Sequence, residues 1–225
     1  MRAVKRRPQA LVLLSLALAA NFLAPAPAFS SHPSPANSTM PAMIPVVGHA
    51  AGGGADPVGE VLAVVRDIAN APVPGAVVII DFSACTDLRL CSDPHDPDAV
   101  VDCVNRTVTK VAGPNGDVRF RIVGCSTRVP AEPGNGFNCA RIYANGVLHA
   151  SPTVAIYDLV GCDGLNASDL SAWLSDFFFV NFPGPASADY DNSGQADPND
   201  LSLWLTAFFG AGSVANCSTG GACGP

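Results

Sequence analysis

The strongest constraint on this chain is a repeat late in its sequence. Residues 189–200 read Asp-Tyr-Asp-Asn-Ser-Gly-Gln-Ala-Asp-Pro-Asn-Asp, and a second twelve-residue frame occupies 158–169. The offset between them is a constant 31 residues. Asp158, Asp169, Leu170, Ser171, Trp173, Leu174, Phe177 and Phe178 recur as Asp189, Asp200, Leu201, Ser202, Trp204, Leu205, Phe208 and Phe209. Apolar residues spaced i, i+3, i+4, i+7 and i+8 predict a helix after each loop, with the Trp and Phe stripe as its core-facing side. In the second loop, side-chain oxygens fall at positions 1, 3, 5, 9 and 12 (Asp189, Asp191, Ser193, Asp197, Asp200). Carboxylates crowded this way repel one another until a cation joins them. The plainer alternative is an Asp/Asn/Gly turn leading into a capped helix.

That oxygen spacing, with Gly194 at position 6 for the sharp bend, is the ligand spacing of an EF-hand-type calcium loop. The candidate calcium set is Asp189, Asp191, Ser193, Gln195, Asp197 and Asp200. Position 12 is Asp rather than the usual Glu, and as a helix-opening carboxylate it also suits the positive helix end. The first loop departs from the pattern. Val160 stands at position 3 and Cys162 at position 5, and Asp163-Gly164 comes one place late. Asp158, Asn166 and Asp169 keep positions 1, 9 and 12, with Asp163 as a further candidate, so weak or no calcium is expected there.

Two loop–helix units joined by the short linker 181–188 resemble a dockerin module over residues 157–212. Dockerins are paired half EF-hands that fold on calcium and then dock on a cohesin partner. The resemblance implies a cohesin-type or other surface-protein partner, contacted through loop positions 10 and 11: Ala167, Ser168, Pro198 and Asn199. These are not the usual Ser/Thr pairs, so the resemblance does not say which partner.

Residues 1–28 read as a signal segment. Arg2, Lys5, Arg6 and Arg7 precede an apolar run at 10–20 that is too short to span a bilayer, and Ala26-Pro27-Ala28 offers small residues for cleavage. Its removal takes four basic residues and no acid, leaving a formal charge of about −11. Such an acidic chain is a poor binder of nucleic acid or anionic membrane, and no later run is long enough to span a membrane. A secreted or cell-surface location is expected. Export fits the eight cysteines, Cys85, Cys91, Cys103, Cys125, Cys139, Cys162, Cys217 and Cys223, which read as up to four disulfides. Local closure favours Cys217–Cys223, and Cys85, Cys91 and Cys103 could staple one loop. With no CxxC pair and no matching His spacing, zinc is disfavoured. The residues at 213–225 form a Cys-containing tail. Four Asn-x-Ser/Thr sequons (Asn37, Asn105, Asn166, Asn216) carry little weight by themselves.

Residues 29–40, rich in Pro, Ser and Ala, read as a flexible lead-in. Residues 41–156 read as all-β. Strands are expected at 44–47 (an edge, because of Pro45), 61–66, 76–82 (central, rich in Val and Ile), 107–111, 118–123, 139–143, 147–149 and 153–157. Val118, Phe120 and Ile122 are expected to be buried, and Ala144-Asn145-Gly146 to make a hairpin turn. The motifs Asn70-Ala71-Pro72-Val73-Pro74-Gly75 and Asn115-Gly116-Asp117-Val118-Arg119-Phe120 resemble those of bacterial Ig-like domains of the invasin/intimin (Big-1-like) type. The whole is therefore expected to be multidomain: an all-β Ig-like sandwich followed by a small α-helical dockerin/EF-hand-like module.

The insert at 83–106 falls outside that strand pattern. Its acidic run, Asp93-Pro94-His95-Asp96-Pro97-Asp98, reads as a solvated loop tip, and Asp102 and Glu132 have no evident partner. No catalytic motif stands out: there is no Gly-x-Ser-x-Gly, His-Glu-x-x-His or phosphate loop. Three readings follow. The first is a non-catalytic exported protein displaying an Ig-like domain through a calcium-folded module. The second is a carbohydrate-binding accessory protein of polysaccharide degradation, which needs exposed aromatics. Phe82, Phe120, Phe137 and Tyr143 are the β-region aromatics weighed for that role, and most read as buried. The third, a small hydrolase, has no positive signal.

Overall fold

The computed structural model describes residues 32–47, 58–86, 88–92, 96, 98–126, 138–162, 164–178, 189–210 and 223. The signal segment at 1–28, the linker at 181–188, Asp163, Glu132, Phe137 and Cys217 lie outside the described residues. Residues 32–225 belong to one compact unit.

Among the described residues of that unit are eleven strands and two helices. Alternating branched residues build a five-stranded antiparallel sheet. It comprises β3 (Val77–Asp81), β5 (Val100–Asp102), β6 (Thr107–Val111), β9 (Arg141–Ala144) and β10 (Val147–Ala150), in the order β10-β9-β3-β6-β5. The Val/Ile-rich strand is central, as its composition predicts. Asn145 (φ 47°) and Gly146 (φ 80°) turn β9 into β10, positive φ at both positions matching the right-handed strand twist. Three strand pairs complete the β region. These are β2 (Glu60–Val64) with β7 (Asp117–Arg121), β4 (Leu88–Leu90) with β8 (Gly124–Ser126), and β1 (Met43–Val46) parallel to β11 (Thr153–Ile156). A bridge between Val46 and Ile122 joins β1 to the end of β7. Val78, Ile80, Val108 and Ile142 of the five-stranded sheet share one core with Val61, Phe120, Leu88, Leu90, Ile44 and Ile156 of the pairs. Val118, Phe120 and Ile122 are buried as expected.

The β1–β11 pair is a wall with two buried faces. Ile44, Val46, Val154 and Ile156 point into the β core, whereas Val47, Ala155 and Tyr157 belong to a second core with Leu159, Leu165, Trp173, Tyr190, Trp204 and Ala207. A strand's period of two makes this possible, because alternate residues serve opposite faces. Helices α1 (Ala167–Phe178) and α2 (Pro198–Gly210) supply the far side of the second core.

Several expectations are corrected. Residues 32–40 are not a flexible lead-in. Thr39 and Val64 exchange backbone hydrogen bonds (2.9 and 2.8 Å), Ser34 N–H donates to Arg66 O (2.7 Å), and Asn37 Nδ2 donates to Asp67 O (2.7 Å). The segment finds unpaired carbonyls beside β2, and each such bond offsets chain entropy. In the acidic run of the insert, Asp98 is exposed as expected, but Asp96 is not solvated: its carboxylate meets Lys110 Nζ at 2.8 Å with both side chains nearly buried, and the other four residues of the run lie outside the described residues. The insert also contributes β4 and β5. The Arg106 guanidinium ties the insert down by donating to Cys85 O and Leu88 O. Asp102 does have partners: it accepts the N–H groups of Val104 and Asn105 and the Asn105 side-chain amide (2.9, 3.0 and 2.6 Å). The Asn105 backbone and side-chain donors hold its carboxyl below the ordinary aspartate range.

Disulfides join Cys85 to Cys139, Cys103 to Cys223, and Cys125 to Cys162, and Cys91 is bonded as well. The expected local Cys217–Cys223 closure is thus replaced by a long-range one, with Cys223 N–H donating to Leu90 O at 2.7 Å. Nor do Cys85, Cys91 and Cys103 staple one another, since the partners of Cys85 and Cys103 are distant in sequence. The helical Phe stripe is only partly core. Phe178 and Phe209 are 68% and 76% exposed. In α2 the buried apolar residues are Trp204 and Ala207, beside the buried Asp200, and at roughly 100° per residue Phe209 sits about 140° around the helix from Trp204.

Candidate metal centre

Each loop is built around its last carboxylate. In the second loop, Asp200 Oδ1 accepts the N–H groups of Tyr190 (2.6 Å) and Asp191 (3.1 Å), and Oδ2 accepts that of Asp197 (2.7 Å). In the first, Asp169 accepts the N–H groups of Leu159 (2.7 Å), Val160 (2.8 Å) and Asn166 (2.8 Å). These are equivalent donors, displaced by the repeat. The last bond of each set is the return arm of a capping box, three residues into the helix. Asp197 caps α2 by accepting Asn199 N–H (2.7 Å), with Pro198 in the first helical position, where a missing N–H costs nothing. Asn166 caps α1 by accepting Ser168 N–H (2.7 Å), and its side-chain amide donates to Gly164 O (3.0 Å). Asn166 and Asp197, both candidate ligands, are therefore engaged as helix caps.

The loops differ at position 1. Asp189 accepts the N–H groups of Ser193 (2.9 Å) and Gly194 (2.8 Å), Gly194 sitting at φ 93° to turn the chain under the carboxylate. Asp158 accepts Gly164 N–H (2.9 Å), one residue later in the frame, as the displaced glycine in the sequence requires. Asp191, Asp189 and Asp200 each offer a carboxylate oxygen within 4.8 Å of the others, and this is the one such cluster among the described residues. Ser193 N–H also donates to Asp191 Oδ1 (2.9 Å), and the Ser193 hydroxyl donates to Gln195 O (3.1 Å). Gln195 is exposed, as are Ala167, Ser168, Pro198 and Asn199 at the two helix starts.

Asp189 and Asp200 are buried while Asp191 is exposed. Burial pushes the carboxyls of Asp189 and Asp200 above the ordinary aspartate value, the surrounding N–H donors pull back, and the charge of Asp191 adds to the rise. No basic side chain among the described residues pairs with any of the three. An ionised carboxylate has about four lone-pair sites. Asp200 uses three, Asp189 two and Asp191 one, so each retains acceptor capacity. The donor set is all oxygen, anionic and short of positive charge, which fits a hard divalent cation such as calcium. Asp189, Asp191 and Asp200 would hold it, with Ser193 and the Gln195 carbonyl alongside.

Below the loop lies an aromatic layer that single-sequence reading missed. Tyr157 and Tyr190 stack with centroids 4.0 Å apart, Tyr190 OH donates to Ile156 O (3.3 Å), and Trp204 Nε1 donates to Tyr157 O (3.2 Å). The only signal in the sequence was that Tyr157 and Tyr190 directly flank loop carboxylates. Each Trp also stacks on the Phe four residues on, Trp173 on Phe177 at 5.3 Å and Trp204 on Phe208 at 5.2 Å.

Comparison with family models, with curated proteins and with solved structures gives no match to this chain.

Proposed function

We propose that this is an exported, non-catalytic protein in which a dockerin-like, calcium-binding loop–helix tandem mediates attachment to a protein partner and thereby displays an Ig-like β domain. The observation that carries this reading is the Asp189–Asp191–Asp200 cluster, two of whose members are buried with no basic side chain paired to them among the described residues. A divalent ion supplies the missing charge, and binding to the folded chain alone adds stability, ~2.7 kcal/mol at a hundredfold excess over the dissociation constant. Where calcium is abundant, as outside cells, the ion acts as a standing brace. The exposed residues Ala167, Ser168, Pro198 and Asn199 then present the helix starts to a cohesin-type or other surface protein.

Calorimetric titration of the full chain with calcium, beside magnesium as a control, tests the metal step. Saturable calcium heat that vanishes in Asp189→Ala supports the reading, and no heat at millimolar calcium refutes it. A pull-down with immobilised cohesin domains, with and without chelator, tests the partner. Binding on a glycan array would favour the carbohydrate-accessory alternative instead.

A further inference from the structure

We infer that the Cys125–Cys162 disulfide holds the first loop in place of an ion, so that the tandem takes one divalent cation and its first half answers to thiol reductants instead. For its metal half, this inference rests on the reading above.

The two loops share one scaffold. Asp169 and Asp200 gather equivalent triads of N–H groups and open equivalent capping boxes. What closes the scaffold differs at positions 3 and 5. The second loop has Asp191, whose carboxylate lies within 4.8 Å of those of Asp189 and Asp200, and Ser193, whose backbone N–H donates to Asp189 and Asp191. The first has Val160, packed against the second core, and Cys162, whose sulfur is bonded to Cys125 of β8. A thioether-like, fully substituted sulfur and an isopropyl group offer no hard ligand to calcium.

The bond also has a partner contact that places the loop. Ser126, next to Cys125 on β8, donates its N–H to Asp158 O at 2.8 Å. The covalent link therefore fastens the first turn of the loop to β8, where Leu88↔Ser126 and Arg89↔Cys125 pairing already fixes the strand. Cys162 sits at φ 56°, a left-handed conformation that falls one place earlier in the second loop, at Asn192 (φ 59°), just as Gly164 is displaced by one place from Gly194. Closing the link joins the two Sγ atoms with loss of two protons and two electrons to a disulfide oxidant such as glutathione disulfide, which leaves as two thiols. The closed segment spans 37 residues, long enough for its cross-link to restrict the unfolded chain substantially.

Hydrogen exchange read by mass spectrometry on the full chain decides it. Removing calcium with a chelator is expected to speed exchange in α2 and the loop before it while leaving α1 protected. In the paired variant Cys125→Ser/Cys162→Ser, exchange in α1 is expected to rise by about tenfold or more while calcium still binds to the second loop. Unchanged α1 protection in the serine pair would overturn the inference, as would two calcium ions per unmodified chain. The ion count on the unmodified chain decides the matter even if the serine pair does not fold. A count of zero would sink the calcium reading by itself and leave the staple to be judged by the serine pair.

Discussion

The two loops of the tandem were built from one plan and finished in different ways. Both place a carboxylate three residues into a helix, and both use it to gather three backbone N–H groups. In the second loop the remaining space collects Asp189 and Asp191 around Asp200. In the first, positions 3 and 5 are Val160, packed against the second core, and Cys162, bonded to Cys125 of β8. A carboxylate at position 12 is accounted for by its three backbone N–H partners alone. Under the proposed calcium reading, the residues at positions 3 and 5 are what set the two loops apart. A repeat in sequence is thus evidence for a shared scaffold before it is evidence for a shared ligand.

The comparison is sharpened first where the halves should behave alike. Trp173 and Trp204 are both fully buried in the second core. Trp173→Ala and Trp204→Ala should each cost about 3–5 kcal/mol in denaturant unfolding, and a difference above about 2 kcal/mol would show unequal packing. Next, Asp169→Ala and Asp200→Ala each strip three N–H groups of a charged acceptor. About 3 kcal/mol is expected from either, with Asp200→Ala also abolishing calcium binding and Asp169→Ala leaving it intact. Loss of binding in both would mean that the first loop contributes to the ion site.

Smaller effects should separate the halves. Asp189→Asn is expected to weaken calcium at least about tenfold by removing a charged ligand, yet to raise the melting temperature of the calcium-free chain, because it removes a buried charge that has no cation. A fall in the calcium-free melting temperature would contradict that account of the site. The smallest effect is the pH response. Asp189 and Asp200 have folded-state pKa values raised by burial, so the calcium-free fold binds more protons than the unfolded chain between the unfolded value and the raised one. Their contribution to stability is therefore fully present below the ordinary aspartate range and lost as pH rises through the raised values. With calcium bound the slope should reverse, since protons then compete with the ion, and melting curves from pH 7 down to about 4 with and without calcium would show the crossing.

Much of this frame was legible locally. The capping boxes are spelled by Asn166…Asp169 and Asp197…Asp200, the hairpin by Asn145-Gly146, and the central strand by its branched run. What escaped depends on partners distant in sequence. Nothing near Cys223 points to Cys103, nothing near Asp96 points to Lys110, and the short strands β4 and β8 pair only because the chain brings them together. The placing of Phe209 outside the core also followed from tertiary geometry. The helix turns its Trp204–Ala207 side toward the β1–β11 wall, so a residue that fits the apolar stripe lies on the solvent side. The expected division at Tyr157 has no counterpart in the packing: β11 serves cores on both of its faces, and the strands and helices belong to one compact unit.

The most direct test is the number of calcium ions bound by the oxidised full-length chain, counted by equilibrium dialysis with atomic emission. The account predicts one ion, lost in Asp189→Ala and retained in Asp158→Ala. Two ions, or one ion that survives Asp189→Ala, would contradict it.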